Sequence, residues 1–386
     1  MNCRTGMGEN GREARIVGRL IGRIGQIVGE GDLLRAAIAL AVACLLPAAH
    51  AAVPTAGPDA ARRLTPAEVN ALIDAAGKSA PDWFEKVPFH VPQSLDLTWR
   101  QHPGGWQPEV NFGAFMWSSI QPNPDKWRYG IRILHQALTV NRDDTGALRQ
   151  TQQFLARMYL RCERDYARAA YWYRQAGAGD DVALAECCFR LGSPALAAQT
   201  LERNGALTRE AIRVYALMGS YERAEQTALQ LAQRQPADGF IAAAETCRSA
   251  GQFDKAAGYY RKAMDAAQKV GNRRKIADEA RSGAAAMDAL AAGRSAPLRD
   301  GVFNGSCGGY RGPVDVAVTT KGGRIQDVRV TRQSEDGYFF HIAEQIIRPR
   351  LVQQGGLKGV DAVTGATVSS EAMIDAVAQA VGQAGR

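Results

Sequence analysis

Several features are missing from this chain. Beyond its first fifty or so residues, no stretch is long and apolar enough to cross a bilayer. Its basic residues form no block. The net charge of +8 is spread along 386 residues, part of it in the leader. That distribution implies solubility and weak attraction to acidic surfaces and argues against nucleic-acid binding. No catalytic acid–base pair stands out. The seven cysteines (Cys3, Cys44, Cys162, Cys187, Cys188, Cys247 and Cys307) have spacings that fit no zinc framework, so no metal site is expected. Four of the five beyond the leader fall at apolar positions of helical segments and read as buried free thiols, the alternative being a bridge from Cys162 to Cys187 or Cys188.

Residues 1–51 read as an export signal. Arg12, Arg15, Arg19, Arg23 and Arg35 form a basic lead-in, Ala36 to Leu46 is an unbroken apolar run, and Ala49-His50-Ala51 resembles a small-x-small cleavage site. The alternatives are cleavage after Ala51 and retention as an anchor, and the run is short for a span. The mature protein is therefore expected outside the cytoplasm, with membrane contact at most peripheral.

Residues 52–135 form an N-terminal region rich in Trp and Pro. It begins as a linker and continues as a helix in which Thr65 is the cap, Pro66 the first helical residue and Glu68 the closing member of a capping box. Trp83, Trp99, Trp106, Trp117 and Trp127, near His90 and His102, read as anchors packed on the following helices rather than as a cofactor platform.

Residues 136–292 read as helix after helix. Ala211 to Gly219 leads to Tyr221-Glu222-Arg223-Ala224, and Ala243 to Gly251 leads to Phe253-Asp254-Lys255-Ala256. Gly192, Gly219 and Gly251 recur at similar intervals. Gly-x-aromatic-x-x-Ala suits a tight helix–helix turn, with the Ala allowing close approach. The pattern resembles tetratricopeptide repeats, whose stacked units commonly bind a peptide or protein; the alternative is an all-α spacer that binds nothing.

Composition then shifts to Gly and β-branched residues, and residues 298–386 read as a small α+β unit. Val314, Val316 and Val318 alternate with Asp315, Ala317 and Thr319 in a half-buried strand. Lys321-Gly322-Gly323 makes a hairpin turn, and Arg324 to Thr331 is the returning strand. Gln333-Ser334-Glu335 leads to a helix around Phe340–Ile347, stopped near Pro349. A final helix is expected from Glu371, with Ile374, Val377 and Val381 at helical spacing. Thr364, Thr367, Ser369 and Ser370 crowd its start, where hydroxyls serve as caps and where free N–H groups favour a phosphate.

Asp361-x-x-Thr364-Gly365-Ala366-Thr367-x-Ser369 resembles the flavinylation motif of FMN-binding domains, Asp-x-x-Ser/Thr-Gly-Ala-Thr-x-Thr/Ser. Such domains occur in the C subunit of the sodium-pumping NADH:quinone reductase and the G subunit of Rnf-type complexes. The order Asp300-Gly301-x-Phe303, Gly309-Tyr310-x-Gly312-Pro313, two strands, Gln333-Ser334-Glu335, a helix, the motif and a last helix also matches that family, over residues 298–386. The resemblance implies FMN held through a phosphoester on Ser369, with Ser370 a nearby alternative, attached by a flavin transferase that uses FAD as donor. It further implies hydroxyl bonds from Thr364 and Thr367, a Gly365-Ala366 step beside the phosphate, and a role for Asp361 in recognition by the transferase. His341 reads as a surface histidine rather than a proton donor to flavin.

The fold class read here is thus multidomain: an all-α, tetratricopeptide-like repeat domain followed by a small α+β FMN-binding domain. The leading function is an exported electron carrier whose repeats dock a redox partner protein. The alternatives are an extracytoplasmic flavin-dependent reductase of a small acceptor, and a repeat scaffold without redox activity.

Overall fold

Thr65 opens the described helices as its sequence predicts. Its Oγ1 accepts from the Glu68 amide, and Glu68 accepts from the Thr65 amide at 2.8 Å, a complete capping box on α1 (Pro66–Gly77). The structure, a computed structural model, describes residues 63–100, 103–177, 179–269, 274–293, 297–363 and 365–385. The leader at 1–51, His102, Thr364 and the linker residues 294–296 lie outside them.

An irregular aromatic stretch follows α1. Trp99 Nε1 donates to Thr151 Oγ1 (2.8 Å) and Trp127 Nε1 to the Gln121 carbonyl (3.0 Å), so both act as anchors. Within it, the short α2 (Phe112–Phe115) runs into a π-helical turn at Met116–Ile120. The helical array continues with α3 (Trp127–Val140), α4 (Thr145–Met158), a second π-helical turn at Tyr159–Glu163, and α5 (Tyr166–Ala176). Next come α6 (Asp181–Arg190), α7 (Pro194–Asn204), α8 (Arg209–Leu217), α9 (Tyr221–Arg234), α10 (Pro236–Ser249), α11 (Phe253–Lys269) and α12 (Arg274–Gly293). Gly192, Gly219 and Gly251 have φ of 96°, 76° and 79° where one helix ends and the next begins. That left-handed backbone suits a residue without Cβ. The helices α6, α8, α10 and α12 lie side by side as one layer.

Three antiparallel strands follow in the order β1 (Gly301–Gly308), β2 (Pro313–Lys321), β3 (Arg324–Gln333). Val316 sits opposite Gly305 on one side and Val330 on the other. Val314, Val316 and Val318 are buried, as their alternation predicts. The glycines of β1 hide its strand character in the sequence. The next helix, α13 (Gly337–Gln354), is capped by Asp336 and does not stop near Pro349 but runs through it. A proline leaves the carbonyl four residues earlier without its helical donor. Here that carbonyl, Gln345 O, lies 3.4 Å from Arg164 Nη2, which also donates to Gln345 Oε1.

The last helix, α14 (Thr367–Ala384), is buried along nearly its whole length. A helix apolar on every side needs cover on every side. The sheet packs on one flank and α12 on another. A Cβ at Gly382 would stand 2.4 Å from the Ala289 carbonyl, so glycine lets these two helices touch. The helical array and the sheet share one hydrophobic core around α14, and the described residues form one compact unit. All five cysteines beyond the leader are free thiols, so the Cys162 bridge is not made. Burial lifts Cys188 to about 11 and Cys247 to about 12, leaving both protonated at neutral pH.

Candidate functional site

The motif lies at the start of α14, but the helix begins at Thr367, four residues before the expected Glu371. Its N-cap, Ala366, offers no side-chain hydrogen bond. Among the described residues no hydroxyl takes the expected capping role at the amides of Thr367, Val368 and Ser369, the first three helical residues. The hydroxyls are engaged elsewhere. Ser370 Oγ donates to the Ala366 carbonyl (2.8 Å) and accepts from the Val363 amide (3.2 Å), tying the loop to the helix from a fully buried position. Thr367 Oγ1 accepts from Arg213 Nη1 at 3.0 Å. Ser369 Oγ donates to Glu335 Oε2 at 2.7 Å, while Glu335 Oε1 accepts from the Arg311 amide at 2.8 Å.

Gly365, Ala366, Thr367 and Ser369 line one cleft of about 780 Å³. Asp361 and Ser370 do not line it. One wall comes from the sheet side: Tyr310, Arg311, Glu335, Asp336 and Phe339. The other comes from the helical array, through Trp117, Arg157, Arg161, Tyr173 and the start of α6. Trp117 and Phe339 meet across the cleft at a ring separation of 5.7 Å. Trp117 and Arg161 sit on the two π-helical turns, a local geometry often found at functional sites. Gly365 has φ of 80°, and a Cβ there would stand 1.9 Å from Arg161 Nη2. The guanidinium thus rests directly on the motif backbone.

Behind the motif lies a buried seam of charge. Arg248, with none of its surface exposed, pairs with Glu371 and lies 3.7 Å from Asp375. Arg209 reaches both Glu245 and Glu279, and Arg213 reaches Glu245 at 3.3 Å. Burial raises Asp361 to about 7, offset only in part by Arg213. Burial likewise raises Asp375 well above the carboxylate range, against the pull of Arg248. These two acids each carry an oxygen without a hydrogen-bond partner, Asp361 Oδ2 and Asp375 Oδ1. Around them, Arg209, Arg213 and Arg248 are paired with Glu245, Glu279 and Glu371. Asp361 is thus part of the seam under the motif and is itself buried.

The sequence did not single out Arg161, Trp117 or Glu335 as site residues. Arg161 stands in a helical segment, Trp117 among several tryptophans read as anchors, and Glu335 in the turn before α13. No local spacing joins them. His341 lies apart from the cleft, in a second groove with Asp327 and Arg348, against Trp127 and hydrogen-bonded to Gln345.

No curated protein and no solved structure matches the chain. Residues 309–382 match the family model of the FMN-binding domain. That span holds β2, β3, α13, the motif and most of α14, and so one whole wall of the cleft. The C-terminal part of this chain belongs to the FMN-binding domain family.

Proposed function

We propose that this protein is an exported electron-transfer flavoprotein that carries FMN covalently, through a phosphoester on Ser369. The observation that carries this reading is the position of Ser369. It is the motif's last hydroxyl, it stands in the first turn of α14, and it lines the cleft. Ser370, the alternative acceptor, is buried outside the cleft with its hydroxyl bonded on both sides.

The residues present fit the cofactor. The cleft volume is in the range of cofactor pockets. Trp117, Phe339 and Tyr310 supply aromatic surface for a planar ring. The first-turn amides of Thr367, Val368 and Ser369 and the positive end of α14 favour a phosphate. FMN supplies one- and two-electron redox chemistry when bound. This chain's residues attach it, hold it against the motif and set the local charge. Asp361, beneath the motif, supports the loop that presents Ser369.

Two partners belong to this reading. A flavin transferase makes the phosphoester, and a redox partner protein docks on the tetratricopeptide-like array. The layer of α10 and α12 faces α14, so the partner uses the remaining surface of the array near the cleft mouth. The leader at 1–51 supports export. No helix among the described residues is long and apolar enough to cross a membrane.

Peptide mass spectrometry tests the proposal on protein from its own host or co-expressed with a flavin transferase. The expected result is the mass of FMN minus water on the peptide holding Ser369, absent in Ser369→Ala. An unmodified Ser369, beside a control substrate modified by the same transferase, rejects the covalent reading.

A further inference from the structure

Three arginines line the cleft, and they are not equivalent. Arg157 lies 3.8 Å from Asp180, and Arg311 lies 3.6 Å from Asp336. Arg161 has no ion-pair partner among the described residues, and its Nε has no hydrogen-bond partner. Burial works against its charge, but the guanidinium, in contact with Tyr338, remains a cation at neutral pH. A half-buried cation without a counter-charge is costly and marks a place for an anion. Its guanidinium rests on Gly365, in the same cleft as Ser369.

Glu335 adds a second constraint. In the unmodified chain its carboxylate accepts the Ser369 O–H. A phosphoester at Ser369 removes that proton and brings an anion toward the same carboxylate. Two like charges in a cleft repel unless a cation stands by. The sheet-side arginine of the cleft is already matched to Asp336.

We infer that Arg161, from the helical array, is the counter-charge to the flavin phosphate, so the flavin site is built from both parts of the chain. The inference rests on the flavin reading given above. Under it, the array is half of the cofactor site as well as a docking platform, and Gly365 is small so that the guanidinium can reach the motif.

The test uses the full chain carrying Ser369→Ala, which removes covalent attachment, and compares binding of FMN with binding of riboflavin, the same ring without phosphate. Titration of flavin fluorescence is expected to show FMN bound more tightly. Adding Arg161→Gln is expected to weaken FMN about tenfold to a hundredfold, the range of a charge-assisted hydrogen bond, with riboflavin little changed. Arg161→Lys should fall between. Equal weakening of both flavins, or no weakening of FMN, overturns the inference. If Arg161→Gln fails to fold by circular dichroism, Arg161→Lys decides, its FMN-specific loss supporting the inference and an unchanged preference for FMN overturning it. If free FMN binds too weakly to titrate, the phosphorus NMR shift of the flavinylated holoprotein decides. A shift unmoved by Arg161→Gln overturns the inference, and a moved shift with an unmoved flavin spectrum supports it. The two readings fail separately. A modified Ser369 with no Arg161 effect sinks this inference alone, whereas an unmodified Ser369 with an Arg161-dependent preference for FMN sinks only the covalent linkage.

Discussion

Two groups of arginines from the same helical array meet the C-terminal part of this chain, and they meet it differently. In the seam, Arg209, Arg213 and Arg248 are each paired with carboxylates, and the two surplus acids, Asp361 and Asp375, are pushed toward the neutral form. In the cleft, Arg161 touches the motif and pairs with no carboxylate among the described residues. Charges that have been matched hold two parts of a molecule together. An unmatched charge beside a cavity is available to a ligand. The contrast separates the residues that keep α14 in place from those that act on what is bound beside it.

The largest expected effect is in the seam. Arg248→Met leaves Glu371 buried without its cation and should destabilise by about 3–5 kcal/mol in chemical denaturation. Pairing it with Glu371→Gln should recover part of that loss; no recovery would mean that Arg248 acts through packing rather than charge.

Asp361 gives a pH test of the same seam. Its folded-state carboxyl is raised to about 7 from 3.8. Between those values the unfolded chain releases a proton that the folded chain keeps. Stability therefore falls as pH rises from about 4 to about 7 and levels off above. Asp361→Asn should remove that slope and become the more stable form by about 1–3 kcal/mol at pH 8, with little difference at pH 4. Parallel denaturation curves at both pH values would reject the assignment.

Gly365→Ala joins the two groups at the motif. It imposes a Cβ at positive φ and collides with Arg161, so a loss of about 1–2 kcal/mol is expected. In the Ser369→Ala background it should also lower the preference for FMN over riboflavin, because the guanidinium is displaced.

The smallest stability effect is expected at Arg161 itself. With no ion pair to lose among the described residues and only its contact with Tyr338, Arg161→Gln should shift unfolding by no more than about 1 kcal/mol. A loss as large as that of Arg248→Met would erase the distinction between the two groups.

Much of this architecture is legible one segment at a time. The Thr65–Glu68 capping box, the helix–turn glycines, the alternation of β2 and the Gly322-Gly323 hairpin all rest on interactions within a few residues, and each forms as read. The motif could be read for the same reason: its residues are contiguous. Reading fails where a distant partner changes the local rule. Pro349 does not stop α13, because Arg164 approaches the carbonyl that the proline leaves without its helical donor. Thr367, Ser369 and Ser370 do not cap α14, because they are drawn to Arg213, Glu335 and Ala366 instead.

The sequence by itself determined the helical array, strands β2 and β3, the free cysteines and the candidate acceptor hydroxyl, since propensity, periodicity and contiguous motifs carry them. Only the tertiary structure decided that α14 is clasped between sheet and array, that Ser369 rather than Ser370 lines the cleft, and that Arg161 lies on Gly365. Those outcomes depend on how a helix buried on all sides is covered. The charges and rings that cover it come from segments far apart in the chain, where no local spacing can register them.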